Sequence, residues 1–176
     1  MGEKEVVESY ARQFGTFRPL AEQARSSARS RLVWFVALSG FVILNGKPLW
    51  DSIAGRAFTG VPLALLVLPW VIAAFVAVIT HFIIDEVKVR DDLYAVKKAA
   101  AIDLYLENLQ EGDADPREML AIINDTSGDL KEAKSQSDRY ATLARNLERV
   151  TFFLILVGFI WSLVGPFVLA PCGKTP

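Results

Sequence analysis

The sequence predicts an all-α integral membrane protein with three transmembrane helices and a cytoplasmic helical hairpin, assembling as a homo-oligomer. Three observations lead there. Residues 61–84, VPLALLVLPWVIAAFVAVITHFII, run without a Lys, Arg, Asp or Glu. About 20 apolar residues suffice to cross a hydrocarbon layer about 30 Å thick, and a helix pairs every backbone N–H and C=O within the segment. Further apolar blocks lie before and after it, at 32–50 and 150–170, and the rest of the chain is strongly charged. A soluble domain would spread its apolar residues periodically instead. Between the blocks, apolar residues recur at helical spacing.

Composition narrows the chemistry. The 176 residues are 52% hydrophobic with a net charge of −1, and the single cysteine, Cys172, excludes a disulfide framework and a cysteine-based metal site. There is one histidine, His81. The chain has no HExxH, GxSxG, glycine-rich phosphate loop or paired-cysteine spacing. No enzyme and no cofactor is expected. Residues 1–31 carry ten charges and no apolar signal-peptide core, so the first span is expected to act as its own targeting signal.

Taken in order, residues 1–31 form a cytoplasmic N-terminal segment. Val7, Tyr10, Phe14, Phe17, Ala21, Ala24 and Ala28 make a helical stripe. Gly15 and Pro19 split it into helices over about 3–14 and from about 19 onward. The stripe packs on the rest of the protein or lies on the bilayer surface. Transmembrane helix 1, 32–50, has a short apolar part and reaches spanning length by including Asn45, Gly46, Lys47 and Pro48, with Trp34 and Trp50 at the two interfaces. Residues 51–60 form a loop. In transmembrane helix 2, 61–84, Pro69 is expected to kink the helix, and Ala73 and Ala77 are spaced for close helix approach.

The region 85–149 reads as helices. No Gly or Pro falls between Asp85 and Glu111, so helix 2 continues past its apolar part, with a seam of Ala95, Ala99, Ile102, Leu106 and Leu109. A turn at 111–116 leads to a short helix capped by Asp115, with Pro116 at its first position and Glu118 following. NDTSG at 124–128 breaks the chain again. The next helix starts at Asp129, carries a stripe of Leu130, Ala133, Ser137, Tyr140, Ala144 and Leu147, and runs into transmembrane helix 3, 150–170. There Gly158 and Ser162 repeat the small-residue spacing, and Gly165-Pro166 bends the far end. Residues 171–176 are an external tail. The hairpin's seams are thin in large apolar residues, so it packs on the N-terminal helices or on copies of itself.

Topology follows from the basic residues: six in 1–31 and ten in 85–149, against two in the first loop and one in the tail. The excess places the N-terminus and 85–149 in the cytoplasm of a cell whose inner membrane the chain crosses.

Two groups are candidates for function. Ala73, Ala77, Thr80, His81 and Asp85 on helix 2 are candidate pore-lining residues. His81 and Asp85 share a helix face, and an ionisable group near membrane depth faces a bundle interior or a water-filled cavity. A plainer reading makes His81 an interfacial residue bonded to Asp85 or a lipid headgroup. Lys97, Lys98, Lys131, Lys134, Arg139, Arg145 and Arg149 are candidate ligand-binding residues that could meet phosphates. Against this, 85–149 holds ten basic and fifteen acidic residues, which suits ordinary solvated helix faces.

The order of parts over 1–111 resembles SLATT-type membrane effectors of bacterial anti-phage and nucleotide-signalling systems. The parts are an N-terminal segment with Tyr10 and Arg25 to Arg31, a two-span hairpin at 32–50 and 61–84, and a helix continuing from the second span over 85–111. The stretch 150–170 is an addition to that pattern. The resemblance implies a pore-forming effector, opened or held closed by a nucleotide or oligonucleotide signal or by a soluble regulatory protein. The expected function is therefore an oligomeric channel or pore regulated through its cytoplasmic helices. The alternative is a non-conducting membrane scaffold that recruits a soluble partner.

Overall fold

The computed structural model describes residues 3–55, 57–112 and 114–169, apart from the side chains of 3, 4 and 16–18. The expected external tail, Arg56 and the Phe17 side chain lie outside the described residues. The described chain is all-helical: α1 (Glu3–Ala54), α2 (Gly60–Glu111), α3 (Pro116–Ile123) and α4 (Gly128–Leu169). Three of these, α1, α2 and α4, contain stretches long and apolar enough to cross a membrane.

The helices stop where the sequence supplies left-handed backbone. Gly55 follows α1 at φ 66° and Gly112 follows α2 at φ 82°, a conformation glycine adopts without a Cβ penalty. Asp115 caps α3, its Oδ1 accepting from the Arg117 N–H at 2.9 Å, with Pro116 at the first position. α4 begins at Gly128, one residue before the expected start, so Asp129 sits in its first turn.

Two expectations about α1 are corrected. Gly15 and Pro19 do not divide it, and the helix does not end at Trp50; it runs through Gly46 and Pro48 to Ala54. The side chains at its end explain the extension. Trp50 is fully buried and packs with Phe58, Leu66 and Leu169. Gly46 makes room for it, since a Cβ there would meet the Trp50 ring at 2.7 Å. Asp51 then accepts from the Phe58 N–H at 2.7 Å and from Lys47 at 2.5 Å, tying the last turn of α1 to the loop that follows.

The chain divides into two units, and α1, α2 and α4 contribute residues to both. The polar unit comprises 1–27 and 83–143. Its core is Val7, Ile102, Tyr105, Met119, Ile122 and Leu130, with Tyr10, Ala11 and Tyr94 packed against it. The N-terminal stripe therefore packs on the protein through its first half, whereas Ala21 and Ala24 are exposed.

The apolar unit comprises 28–82 and 144–176. Its core includes Trp70, Ala73 and Ile155, flanked by Phe35, Leu38 and Ile43. Gly158 and Ser162 of α4 form a notch for Trp70: a Cβ on Gly158 would lie 3.0 Å from the indole, and the Trp70 Nε1–H donates to Ser162 Oγ at 3.0 Å. Most large side chains of this unit point outward; Trp34, Phe75 and Phe153 are more than half exposed. Arg31 reaches Glu148 at 2.7 Å.

Candidate functional site

The polar unit holds its chemistry around one carboxylate. Asp125 sits in the break between α3 and α4 with φ 54°, a left-handed conformation that Asp and Asn tolerate better than most residues. It accepts three hydrogen bonds: from the Tyr94 hydroxyl at 2.7 Å, Lys98 Nζ at 2.7 Å and Lys134 Nζ at 2.6 Å. Lys98 is only 2% exposed. Its ammonium also donates to the Tyr94 oxygen at 3.0 Å and faces the rings of Tyr10, Phe14 and Tyr94 at 5.3–5.5 Å, so aromatic quadrupoles add to the ion pair.

These contacts decide the protonation states. Burial raises the Asp125 pKa, yet hydrogen bonds from Lys134, Lys98 and Tyr94 outweigh it and hold the carboxyl below the usual carboxylate range. Burial pulls the Lys98 ammonium down, but the bonds to Asp125 and Tyr94 raise it above the usual lysine value. Burial and the Asp125 carboxylate push the Tyr94 hydroxyl up to about 12. At neutral pH the pair is ionised and Tyr94 is a neutral donor.

A cavity of about 630 Å³ opens beside this cluster, lined by Asn124, Asp125 and Thr126 from the break and by Lys131, Lys134, Ser135, Asp138, Arg139 and Thr142 along α4. Three of the predicted ligand-binding residues, Lys131, Lys134 and Arg139, therefore meet at one cavity. The other four do not. Lys98 is corrected outright: it is buried in the ion pair and presents no charge to a ligand. Lys97 lines a separate cavity of about 460 Å³ with Ser127, Gly128 and Asp129. Arg145 and Arg149 are exposed residues of the other unit.

A second polar cluster lies in the same unit. Arg25 donates to Asp91 Oδ2 at 2.6 Å, and the Ser137 hydroxyl is hydrogen-bonded to Asp91 Oδ1. Arg90 bonds Glu86 at 2.8 Å and also Gln136, and lies over the Tyr140 ring. α1, α2 and α4 are thus cross-linked by polar contacts where the seam lacks large apolar residues.

Of the predicted pore-lining residues, three are buried within the chain and two are half-buried. Ala73, Ala77 and Thr80 are 0–1% exposed, turned into their own chain, and the Thr80 hydroxyl donates to the Val76 carbonyl at 2.7 Å. His81 is half-buried and lines an apolar groove of about 360 Å³ with Leu32, Val36, Ala77 and Phe82 among others. Asp85 is half-buried in the polar unit.

Four participants were not foreseen: Tyr94, Asp125, Tyr10 and Phe14. A signal for one of them, Tyr94, existed. Tyr94 and Lys98 are four apart and continue to Ile102 and Tyr105 on one helix face, but a Lys in that row argues against burial unless its partner is known. The partner comes from a break whose fold the sequence does not reveal.

Among the described residues no group of three or more His, Cys, Asp or Glu is placed to hold a metal ion. No protein-family model, no curated protein and no solved structure matches the chain.

Proposed function

We propose that this is a multi-pass protein of the bacterial inner membrane that self-associates into a channel or pore, gated through its polar helical unit. The observation that carries the reading is the inversion of polarity in the apolar unit. Most of its large apolar side chains face outward, while Thr80, Ser162 and Thr151 are buried. Such a surface suits lipid and copies of the same chain, not water. The polar unit is the regulator. Its basic cavity offers Lys131, Lys134 and Arg139 to an anionic signal such as a nucleotide or oligonucleotide, and a ligand that binds one arrangement better shifts the population toward it. The layout resemblance to SLATT-type effectors adds the setting, membrane damage in anti-phage defence.

A second reading, a non-conducting scaffold for a soluble partner, is favoured by the burial of Ala73, Ala77 and Thr80, which leaves one chain without a polar path. Ion flux from liposomes holding the purified protein separates the two. Flux that changes on His81→Ala supports the channel. No flux with or without nucleotides removes it and leaves the scaffold.

A further inference from the structure

The face of α2 that its own chain leaves open carries a heptad pattern. In the polar unit, α2 turns Val87, Lys98, Ile102 and Tyr105 inward. On the opposite side Val89, Leu93 and Val96 are 59%, 47% and 61% exposed, and Ala100 is exposed too. The spacing 89, 93, 96, 100 is that of alternating d and a positions. Counted back along the sequence, the same register falls on Ile72, Phe75, Ile79 and Phe82, all exposed, with Glu86 as its one polar member. Valine and leucine exposed on a charged, solvent-facing helix are costly unless something covers them.

The charges beside the seam say what covers it. In this register Asp85 and Asp92 occupy g positions, while Arg90 and Lys97 occupy e positions. Two parallel copies bring each g residue to the e residue five further along the partner, which pairs Asp92 with Lys97 and Asp85 with Arg90. An antiparallel pairing sets acid against acid and base against base. Arg90 already binds Glu86 and Gln136 within its chain, and Asp85 and Asp92 also make interactions there, so pairing across copies exchanges these contacts. Parallel packing is also what copies inserted the same way into one membrane must adopt.

We infer that α2 packs in parallel against α2 of further copies of this chain through the seam Val89, Leu93, Val96 and Ala100. The inference rests on the membrane reading above and names the face that reading left open. Leucine at a with a β-branched residue at d resembles the patterns that favour more than two strands. Glu86 is the seam's polar position, held by Arg90 at 2.8 Å, and a polar residue at a fixes register at some cost in stability.

The test is cross-linking in membranes. In a Cys172→Ser background, Val89→Cys and Val96→Cys are compared with Thr142→Cys, an exposed α4 position, using a short bis-maleimide. The seam variants are expected to give dimers and larger ladders, and Thr142→Cys monomers. Asp92→Lys should lower the Val96→Cys product by about threefold, and Lys97→Asp in the same chain should restore it. If both seam variants stay monomeric while the protein resists alkaline extraction, or if Thr142→Cys cross-links equally, the seam is wrong and the membrane reading survives. If the chain is recovered in the soluble fraction, both fall.

Discussion

Asp125 satisfies three donors with one carboxylate. Lys98 belongs to α2, Lys134 to α4, and Asp125 to the break between α3 and α4. The Lys98 and Asp125 side chains are 3% and 6% exposed. Removing one member of such a buried pair leaves the other charged and unpaired, a loss of about 3–5 kcal/mol. Asp125→Asn isolates that effect because Asn tolerates the same left-handed backbone. It should lower unfolding stability by about 3 kcal/mol, read by chemical denaturation of the purified protein. The pH dependence has a definite sign. Asp125 has a lowered folded pKa, so its contribution is complete above the ordinary value of 3.8 and is lost as pH falls through the folded value. Lys98 and Tyr94 are raised, so theirs is complete below about 10 and is lost as pH climbs toward 12. Stability should therefore be flat near neutrality and fall at both ends, and Asp125→Asn should flatten the acid limb. The same cluster marks where sequence reading stops. Lys98 reads as one of seven surface cations, since burial of a lysine depends on a partner 27 positions away.

At the scale of elements, Pro69 shows how a helix absorbs a residue it should reject. Proline lacks the N–H that would bond the carbonyl four residues earlier, so the Leu65 oxygen has no intrahelical partner. The sequence reading expects a kink there. α2 runs from Gly60 to Glu111 with Pro69 inside it, and the Trp161 Nε1–H of α4 donates to the Leu65 oxygen at 3.0 Å. A freed carbonyl in an apolar segment must be satisfied by a neighbour, so the two residues form one device. Trp161→Phe should cost about 1–2 kcal/mol in thermal stability, beyond any packing loss. Pro69→Ala returns an N–H to Leu65, and in that background the hydrogen-bond part of the Trp161→Phe loss should vanish. Equal losses in both backgrounds would mean that the indole acts by packing alone. The extents of α2, α3 and α4 were legible because their starts and stops are local chemistry: the Asp115 cap, Gly112, and the NDTSG break. The extent of α1 was not. Gly46 reads as a weak point, yet its missing Cβ is what lets Trp50 lie against the helix. The seam on α2 was also misplaced by part of a turn. Ala99 is exposed while Tyr94 and Lys98 face inward, because polar contacts outweigh alanine's small apolar area there.

For the whole molecule, the proposed membrane arrangement stands on two counts that need not agree. An odd number of spans puts the two ends of the chain on opposite sides of a bilayer. Basic residues cluster at 1–31 and 85–149 and are sparse in the first loop and the tail. In the proposed arrangement both put the polar unit and the C-terminal tail on opposite sides, and the excess of basic residues is what names the polar unit's side as the cytoplasm. The two units match this division in content: 1–27 and 83–143 form one unit, and the three apolar stretches contribute to the other. The chain carries its own reporter, because Cys172 is its only cysteine and lies in the predicted external tail. A membrane-impermeant maleimide applied to intact spheroplasts should therefore label the native protein. In Cys172→Ser carrying Ala100→Cys, an exposed position of the polar unit, labelling should appear only after the membrane is opened. The reverse pattern would place the basic cavity of Lys131, Lys134 and Arg139 outside the cell. A cytosolic nucleotide could then no longer reach it, and regulation through that cavity would need an extracellular anion.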